Sequence, residues 1–120
     1  MIYLDTNIIL RFLLKDDKEL NKKAREIILS EKYLYVLNEV IAEAVYVLNK
    51  VYKIEKHMIC KILFKFINIE NIIVKNKTVI LKALEIYSEN NIDFLDCILC
   101  SIGSDKNNII ASLDKKNINF

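Results

Sequence analysis

The sequence predicts an α/β domain whose parallel sheet is flanked by helices on both faces. Short apolar runs alternate along the chain with longer segments of helical periodicity. The runs are apolar throughout, which is typical of strands that are covered on both sides. The length of 120 residues is enough for one hydrophobic core and not for two. We therefore expect residues 1–120 to form a single domain.

Four apolar runs predict the strands of the sheet. The chain has one glycine and no proline, so few turns can adopt a positive φ, and the connections must rely on Asn, Asp and Lys. The predicted strands are MIYL (1–4), YLYVL (33–37), NIIVK (71–75) and NIIASL (108–113).

Five segments carry apolar residues at the three- and four-residue spacing of one helix face. Asn38 and Asp93 can act as N-caps of two of these helices. The predicted helices are DKELNKKAREIILSE (17–31), NEVIAEAVYVLNKVY (38–52), EKHMICKILFKFI (55–67), KTVILKALEIYSEN (77–90) and DFLDCILCSIGS (93–104).

Helical wheels of two of these segments predict which side chains are buried. An acid lies at the edge of each apolar arc, Glu43 in the helix 38–52 and Asp96 in the helix 93–104. An acid in such a position can line a cleft. The first arc consists of Val40, Ile41, Ala44, Val45, Val47, Leu48 and Val51. The second arc consists of Phe94, Leu95, Ile98, Leu99 and Ile102.

Composition and charge exclude several classes of protein. Charged residues make up 28% of the chain, and no apolar run approaches the roughly 20 residues that span a bilayer. The N-terminus lacks the basic start of a signal peptide, so we expect a cytoplasmic protein without a membrane segment. A net charge of +2 excludes a surface that binds nucleic acid through overall charge alone.

The three cysteines indicate neither a disulfide framework nor a zinc site. Their number is odd, and Cys60 and His57 have no paired spacing with Cys97 and Cys100. The Cys97–Cys100 pair falls within a predicted helix rather than ahead of one, where thiolates are activated. We expect both side chains to be buried small residues.

Four acids can meet in one crevice of the predicted fold. Asp5 and Asp114 directly follow predicted strands, and ligands of open parallel sheets bind beyond the carboxyl ends of the strands. Glu43 and Asp96 lie at the rims of their helices. Asp93 shares one side of the first helical turn with Asp96, which makes it a fifth candidate.

Carboxylates that lie close together repel one another unless a cation lies between them. Oxygen ligands suit Mg²⁺ or Mn²⁺, so the sequence predicts one or two such ions at the four acids. Asp5 follows an apolar run, where an uncompensated carboxylate is costly. We expect the metal to compensate Asp5 and Asn7 to orient it.

Each acid also has a plainer interpretation. Asp5 can cap a following helix through the amides of that helix. Glu43 can pair with Lys50 at a helix edge. Asp114 and Ser112 can be ordinary turn residues.

Four segments resemble the PIN-domain ribonucleases, and in particular the VapC-like toxins of prokaryotic toxin–antitoxin pairs. These segments follow the family's order and spacing and together span nearly the whole chain. They are YLDTNIILRFLL, VIAEAVYVL, DFLDCILC and IIASLD. The resemblance implies a parallel sheet flanked by helices. It also places the acidic quartet of the family on Asp5, Glu43, Asp96 and Asp114, with support from Thr6, Asn7, Asp93 and Ser112.

The resemblance further implies an endoribonuclease that depends on Mg²⁺ or Mn²⁺ and cleaves single-stranded or loop RNA, as in tRNA or rRNA. A metal-bound water would attack the phosphodiester, and a second ion would stabilise the leaving oxygen. The family also implies a homodimer and a small antitoxin protein whose tail enters the acidic groove. Among basic residues, we expect Arg11 and Lys115 to hold RNA phosphates because they lie near the acids.

Other functions stay open at this point. A receiver-type signalling module also binds Mg²⁺, but it needs an acidic pair after its first strand and an Asp after its third. Here Asp16 and Asp17 lie too far from the first strand, and Lys75 ends the third. A PIN fold can also serve in RNA processing or DNA cleavage, or as a binding module without catalysis.

Overall fold

A computed structural model describes residues 1–105 and 107–111. It confirms the α/β prediction of a parallel sheet with flanking helices. The elements in chain order are β1 (Ile2–Tyr3), α1 (Thr6–Leu13), α2 (Lys18–Ile28), β2 (Leu34–Val36), α3 (Asn38–Lys50), α4 (Lys56–Ile67), β3 (Ile72–Val74), α5 (Lys77–Glu89) and α6 (Phe94–Gly103). None of the described helices is long and apolar enough to cross a membrane.

The described sheet has three parallel strands in the order β1-β2-β3. Leu34 of β2 lies opposite Ile2 of β1 and Ile72 of β3. Because the strands are parallel, their carboxyl ends meet at one edge of the sheet. The chain enters α1 just after β1 and α3 just after β2, so the N-termini of both helices lie at this edge.

The predicted buried face of α3 is largely confirmed. Ile41, Ala44, Val45 and Leu48 are almost completely buried in the main core. Val51 is the exception, since it follows the last turn of the helix and is exposed.

The predicted buried face of α6 is confirmed only in part, since Phe94 is buried and Ile98 packs against the core. Leu95 is 64% exposed and Leu99 is 39% exposed, although both belong to the predicted apolar arc. The residues that α6 buries are Phe94, Cys97, Cys100 and Ser101. Small side chains allow α6 to pack closely on α5, and the Ser101 hydroxyl donates a hydrogen bond to the carbonyl oxygen of Val79 in α5 at 2.8 Å. The prediction that the two cysteines are buried small residues is confirmed.

Helix α1 was not predicted. Its sequence is part of a nearly continuous apolar run, in which a period of 3.6 is hard to see. In the structure Ile9 and Leu10 are buried and Asp5 is the N-cap. The cap, rather than the hydrophobic pattern, marks the start of this helix.

The strand predicted over 108–113 is wrong for its described part, because residues 108–111 form no strand. Instead, the Asn108 amide donates to the carbonyl of Asp105, and its side-chain amide donates to the carbonyl of Ile102 at 3.1 Å. Through these bonds the segment caps the C-terminal end of α6. A Cβ on Gly103 would lie only 2.9 Å from Cγ1 of Ile110, which explains the glycine here.

Of the two residues predicted as N-caps, Asn38 does not occupy that position and Asp93 does. Leu37, not Asn38, is the N-cap of α3, and Asn38 is the first helical residue. Its Oδ1 atom is buried and has no hydrogen-bond partner in the described part of the chain. Asp93 does occupy the N-cap position of α6, but none of the described amides of that helix donates a capping bond to its side chain.

Candidate active site

Asp5 lies at the carboxyl edge of the sheet, where β1 leads into α1. Its Oδ1 accepts a hydrogen bond from the amide of Ile8 at 3.0 Å, which satisfies one of the free amides at the start of the helix. Asp5 is exposed to solvent. Solvent exposure and the N-terminus of α1 both stabilise the Asp5 carboxylate, so its position after an apolar run does not by itself require a metal, and metal binding by Asp5 stays a prediction. The capping interpretation of Asp5 is confirmed, and it leaves Oδ2 outside the capping bond.

Thr6 connects the start of α1 to α3. Its side chain is nearly buried, and its hydroxyl Oγ1 donates to Oε2 of Glu43 at 3.1 Å. Glu43 itself is exposed at the rim of the buried face of α3, as the helical wheel predicts. This bond brings Glu43 to the residue that follows Asp5. Glu43 is thus held beside the start of α1, although the two are far apart in the sequence.

The start of α6 contributes two further acids. Asp93 is exposed, and Asp96 is half-buried in the first turn of the helix. Glu43 and Asp93 line the same cavity, which lies between α3 and the N-terminus of α6. The structure therefore brings Asp93 to the neighbourhood of Glu43.

Lys56 fixes the loop that precedes α6. Its Nζ donates to the carbonyl oxygens of Asn90 at 3.0 Å and Ile92 at 3.3 Å. The same ammonium lies 4.4 Å from the centre of the Tyr87 ring, a favourable cation–π distance. Sequence reasoning missed this residue, because a lysine at the start of an amphipathic helix gives no signal of such contacts.

Other predicted residues lie further from these acids or outside the described chain. Asn7 is an exposed residue of the first turn of α1. Arg11 lies near the other end of that helix and forms an ion pair with Asp16 at 3.3 Å. Asp114, Ser112 and Lys115 lie outside the described residues.

The predicted acids have the right chemistry for a divalent cation, but the described ones are not arranged as a complete metal site. The predicted ligands are all carboxylate oxygens, which suit Mg²⁺ or Mn²⁺. No three His, Cys, Asp or Glu side chains within 1–105 and 107–111 are arranged so that they could hold a metal ion. Asp114, the remaining member of the predicted quartet, lies beyond these ranges.

The thiols near the site are unreactive. Burial raises the pKa of the Cys97 thiol to about 12, and the neighbouring Cys100 adds to this effect. Burial likewise raises the pKa of Cys60 to about 11, partly offset by the positive charge of Lys56. Because both pKa values lie well above neutral pH, these thiols stay protonated at neutral pH and are weak nucleophiles.

Comparison with known sequences identifies the family of the fold. The sequence pattern of the PIN domain matches residues 2–118. The chain belongs to the PIN-domain family. A protein named VapC ribonuclease from Aquifex aeolicus (strain VF5) is 33% identical to this PIN domain over 101 residues, which cover 82% of this chain and 75% of that protein. The predicted resemblance to VapC-like PIN domains is confirmed, and the receiver-type alternative finds no support.

Proposed function

We propose that this PIN domain is a metal-dependent endoribonuclease that cleaves single-stranded or loop RNA of the tRNA or rRNA class. The observation that carries the proposal is the bond between Thr6 and Glu43, because it holds Glu43 beside the residue that follows Asp5 at the carboxyl edge of a parallel sheet. This edge is where open α/β folds bind their ligands. The similarity to a VapC ribonuclease supports the same activity.

The quartet proposed to bind metal is Asp5, Glu43, Asp96 and Asp114, with Thr6, Asn7, Asp93 and Ser112 in support. The Ile8 amide fixes Asp5 through Oδ1, and the Thr6 hydroxyl fixes Glu43 through Oε2. Each bond orients a carboxylate while its second oxygen stays outside that bond. Bound Mg²⁺ or Mn²⁺, as one or two ions, would supply an activated water and stabilise charge on the phosphodiester.

We further propose that the protein is the toxin of a toxin–antitoxin pair, with a small antitoxin protein as its partner and the cytoplasm as its location. The basis is the similarity to VapC and the RNA substrate proposed above. We also propose that the protein forms a homodimer. Arg11 and Lys115 are proposed to contact RNA phosphates. Since Arg11 pairs with Asp16, it must exchange that partner to reach RNA.

Replacing Asp5 by Asn tests the proposal against a matched control. Asp17 caps α2 as Asp5 caps α1, and its Oδ1 also accepts an amide, that of Leu20, at 3.0 Å. Asn caps helices about as well as Asp, so Asp5→Asn and Asp17→Asn should both keep the thermal stability of the wild type. We expect only Asp5→Asn to lose cleavage of folded tRNA in Mg²⁺ or Mn²⁺.

The chelator EDTA should abolish the activity of the wild type and of Asp17→Asn alike. Equal cleavage by Asp5→Asn and the wild type would refute the assignment of Asp5. Cleavage that persists in EDTA would refute the metal requirement. A single-stranded DNA of the same sequence should resist cleavage, and its cleavage would favour the alternative of a DNA nuclease.

A further inference from the structure

A cavity of about 560 Å³ has Glu43 in its wall. It lies between α3, the start of α4, and the loop that joins α5 to α6. Its size is within the range of pockets that bind small ligands. Much of its wall is apolar or aromatic, with Ala42, Tyr87, Phe94 and Leu95 among the lining residues.

One face of α3 presents three functional groups to this cavity. Glu39, Glu43 and Tyr46 all line it, and their spacing of four and three residues places them on the same side of the helix. Tyr46 is 63% exposed. The ring pairs found within 1–105 and 107–111 do not include Tyr46, so its face is open to a planar partner.

The opposite wall of the cavity is held in place. Lys56 binds the carbonyl oxygens of Asn90 and Ile92 and lies over the Tyr87 ring. These contacts fix the loop from residue 90 to 93 and occupy the ammonium group. This wall of the cavity is therefore formed, and the ammonium group of Lys56 is already engaged.

The charge of the pocket disfavours a phosphate group. Three carboxylates line it, those of Glu39, Glu43 and Asp93, against the ammonium groups of Lys50 and Lys56. A neutral, planar group with hydrogen-bond donors suits such a pocket better than an anion. Unstacked nucleobases fit this description, because proteins recognise them by aromatic stacking and by hydrogen bonds to their edges.

We propose that this cavity binds one unstacked base of the RNA substrate, and that the base carries an exocyclic amino group. Tyr46 stacks on the base, and the Glu39 carboxylate accepts hydrogen bonds from its edge. Guanine fits best, because its N1–H and amino group offer two adjacent donors to one carboxylate. The inference rests on the proposed ribonuclease function, which brings a single RNA strand to Glu43, and it makes Glu39 and Tyr46 determinants of sequence preference.

Binding of a short oligouridylate with one central guanosine tests the role of Tyr46. Fluorescence anisotropy in Ca²⁺ buffer measures the Kd without relying on cleavage. Tyr46→Ala should weaken binding about tenfold, the usual loss for one stacked base. Tyr46→Phe should keep the affinity of the wild type. Tyr33→Ala is the matched control, because Tyr33 is similarly exposed at 66% but lies outside this cavity.

Replacing that guanosine by inosine, which lacks the amino group, tests Glu39. The wild type should bind the guanosine strand about tenfold more tightly, as expected for one well-formed contact to a base edge. Glu39→Gln should reduce this preference, whereas Glu26→Gln on α2 should leave it unchanged. Light scattering of Tyr46→Ala reports whether the substitution alters the oligomeric state.

Failure of the inference and failure of the proposed function are distinguishable. Equal affinities of Tyr46→Ala and Tyr33→Ala, or no preference for guanosine, would overturn the base pocket even if the wild type cleaves RNA. A change of oligomeric state in Tyr46→Ala would also overturn it, because the ring would then lie between copies of the chain. A guanosine preference in a protein that cleaves no RNA would uphold the pocket and refute the nuclease.

Discussion

Helices α3 and α6 both carry acids of the proposed site, yet they are held in the fold by different means. The buried face of α3 consists mainly of large aliphatic residues such as Ile41 and Leu48. Apart from Phe94, the buried face of α6 is small, with Cys97, Cys100 and Ser101, while Leu95 and Leu99 face outward. Hydrophobicity thus orients α3, whereas close approach to α5 orients α6.

The largest expected effect is a difference in the free energy of unfolding between two leucine variants, one in α3 and one in α6. Leu48 is fully buried, so Leu48→Ala should lower the free energy of unfolding by about 3 kcal/mol through lost burial and a cavity. Leu95 is 64% exposed, and Leu95→Ala should change it by less than about 0.5 kcal/mol. Urea unfolding of both variants measures the difference. Equal losses of stability in the two variants would show that Leu95 is buried, as the apolar arc predicted for α6 requires.

An intermediate effect tests whether size orients α6. Cys97 is completely buried, so Cys97→Leu should lower the free energy of unfolding by about 2 kcal/mol, because the added atoms overpack the contact with neighbouring elements. The reverse exchange on the exposed side, Leu95→Cys, should change it by less than about 0.5 kcal/mol. Urea unfolding again provides the measurement. A stabilising effect of Cys97→Leu would show that α6 is held by hydrophobicity after all.

The third effect concerns stability at alkaline pH. The pKa values of Cys60 and Cys97 rise from 9.0 to about 11 and about 12, mainly because both thiols are buried. Above pH 9 the unfolded chain loses these protons while the folded chain keeps them, so stability falls as pH rises from 9 to 11. The buried residues of α3 include no ionisable group. The sensitivity therefore belongs to α4 and α6, which carry these thiols, and to α5, where burial raises the pKa of Tyr87.

Urea unfolding at pH 8 and pH 10 measures this loss. The double variant Cys60→Ala/Cys97→Ala should lose less stability between the two pH values than the wild type, because it lacks both buried thiols and their contribution to the raised pKa of Tyr87. The same loss in both proteins would contradict the assignment of the pH dependence to these thiols.

Much of the fold could be predicted from the sequence, and the exceptions have identifiable causes. The three described strands and five of the helices follow from apolar runs and from periodicity. Helix α1 was missed because its apolar residues are nearly continuous. The strand over 108–113 was wrong in its described part because Asn108 closes the end of α6 instead of pairing with a strand.

The candidate site could be predicted only in part. Motif order pointed to Asp5 and Glu43, and the helical wheel placed Glu43 at a cleft rim. The bond from Thr6 to Glu43, which joins α1 to α3, could not be predicted, because it depends on how two helices meet. The contacts of Lys56 with the loop before α6 could not be predicted either, because they also depend on how distant elements meet.

By itself the sequence determined the class of fold, the positions of most elements and the acids that we propose to bind metal, because these depend on residue type and on regular spacing. Only the tertiary structure decided which residues of α6 are buried, which groups donate hydrogen bonds to the carboxylates, and where a pocket opens beside Glu43. Those features arise from the fit between elements distant in sequence, where size and close approach outweigh the hydrophobicity of a single segment.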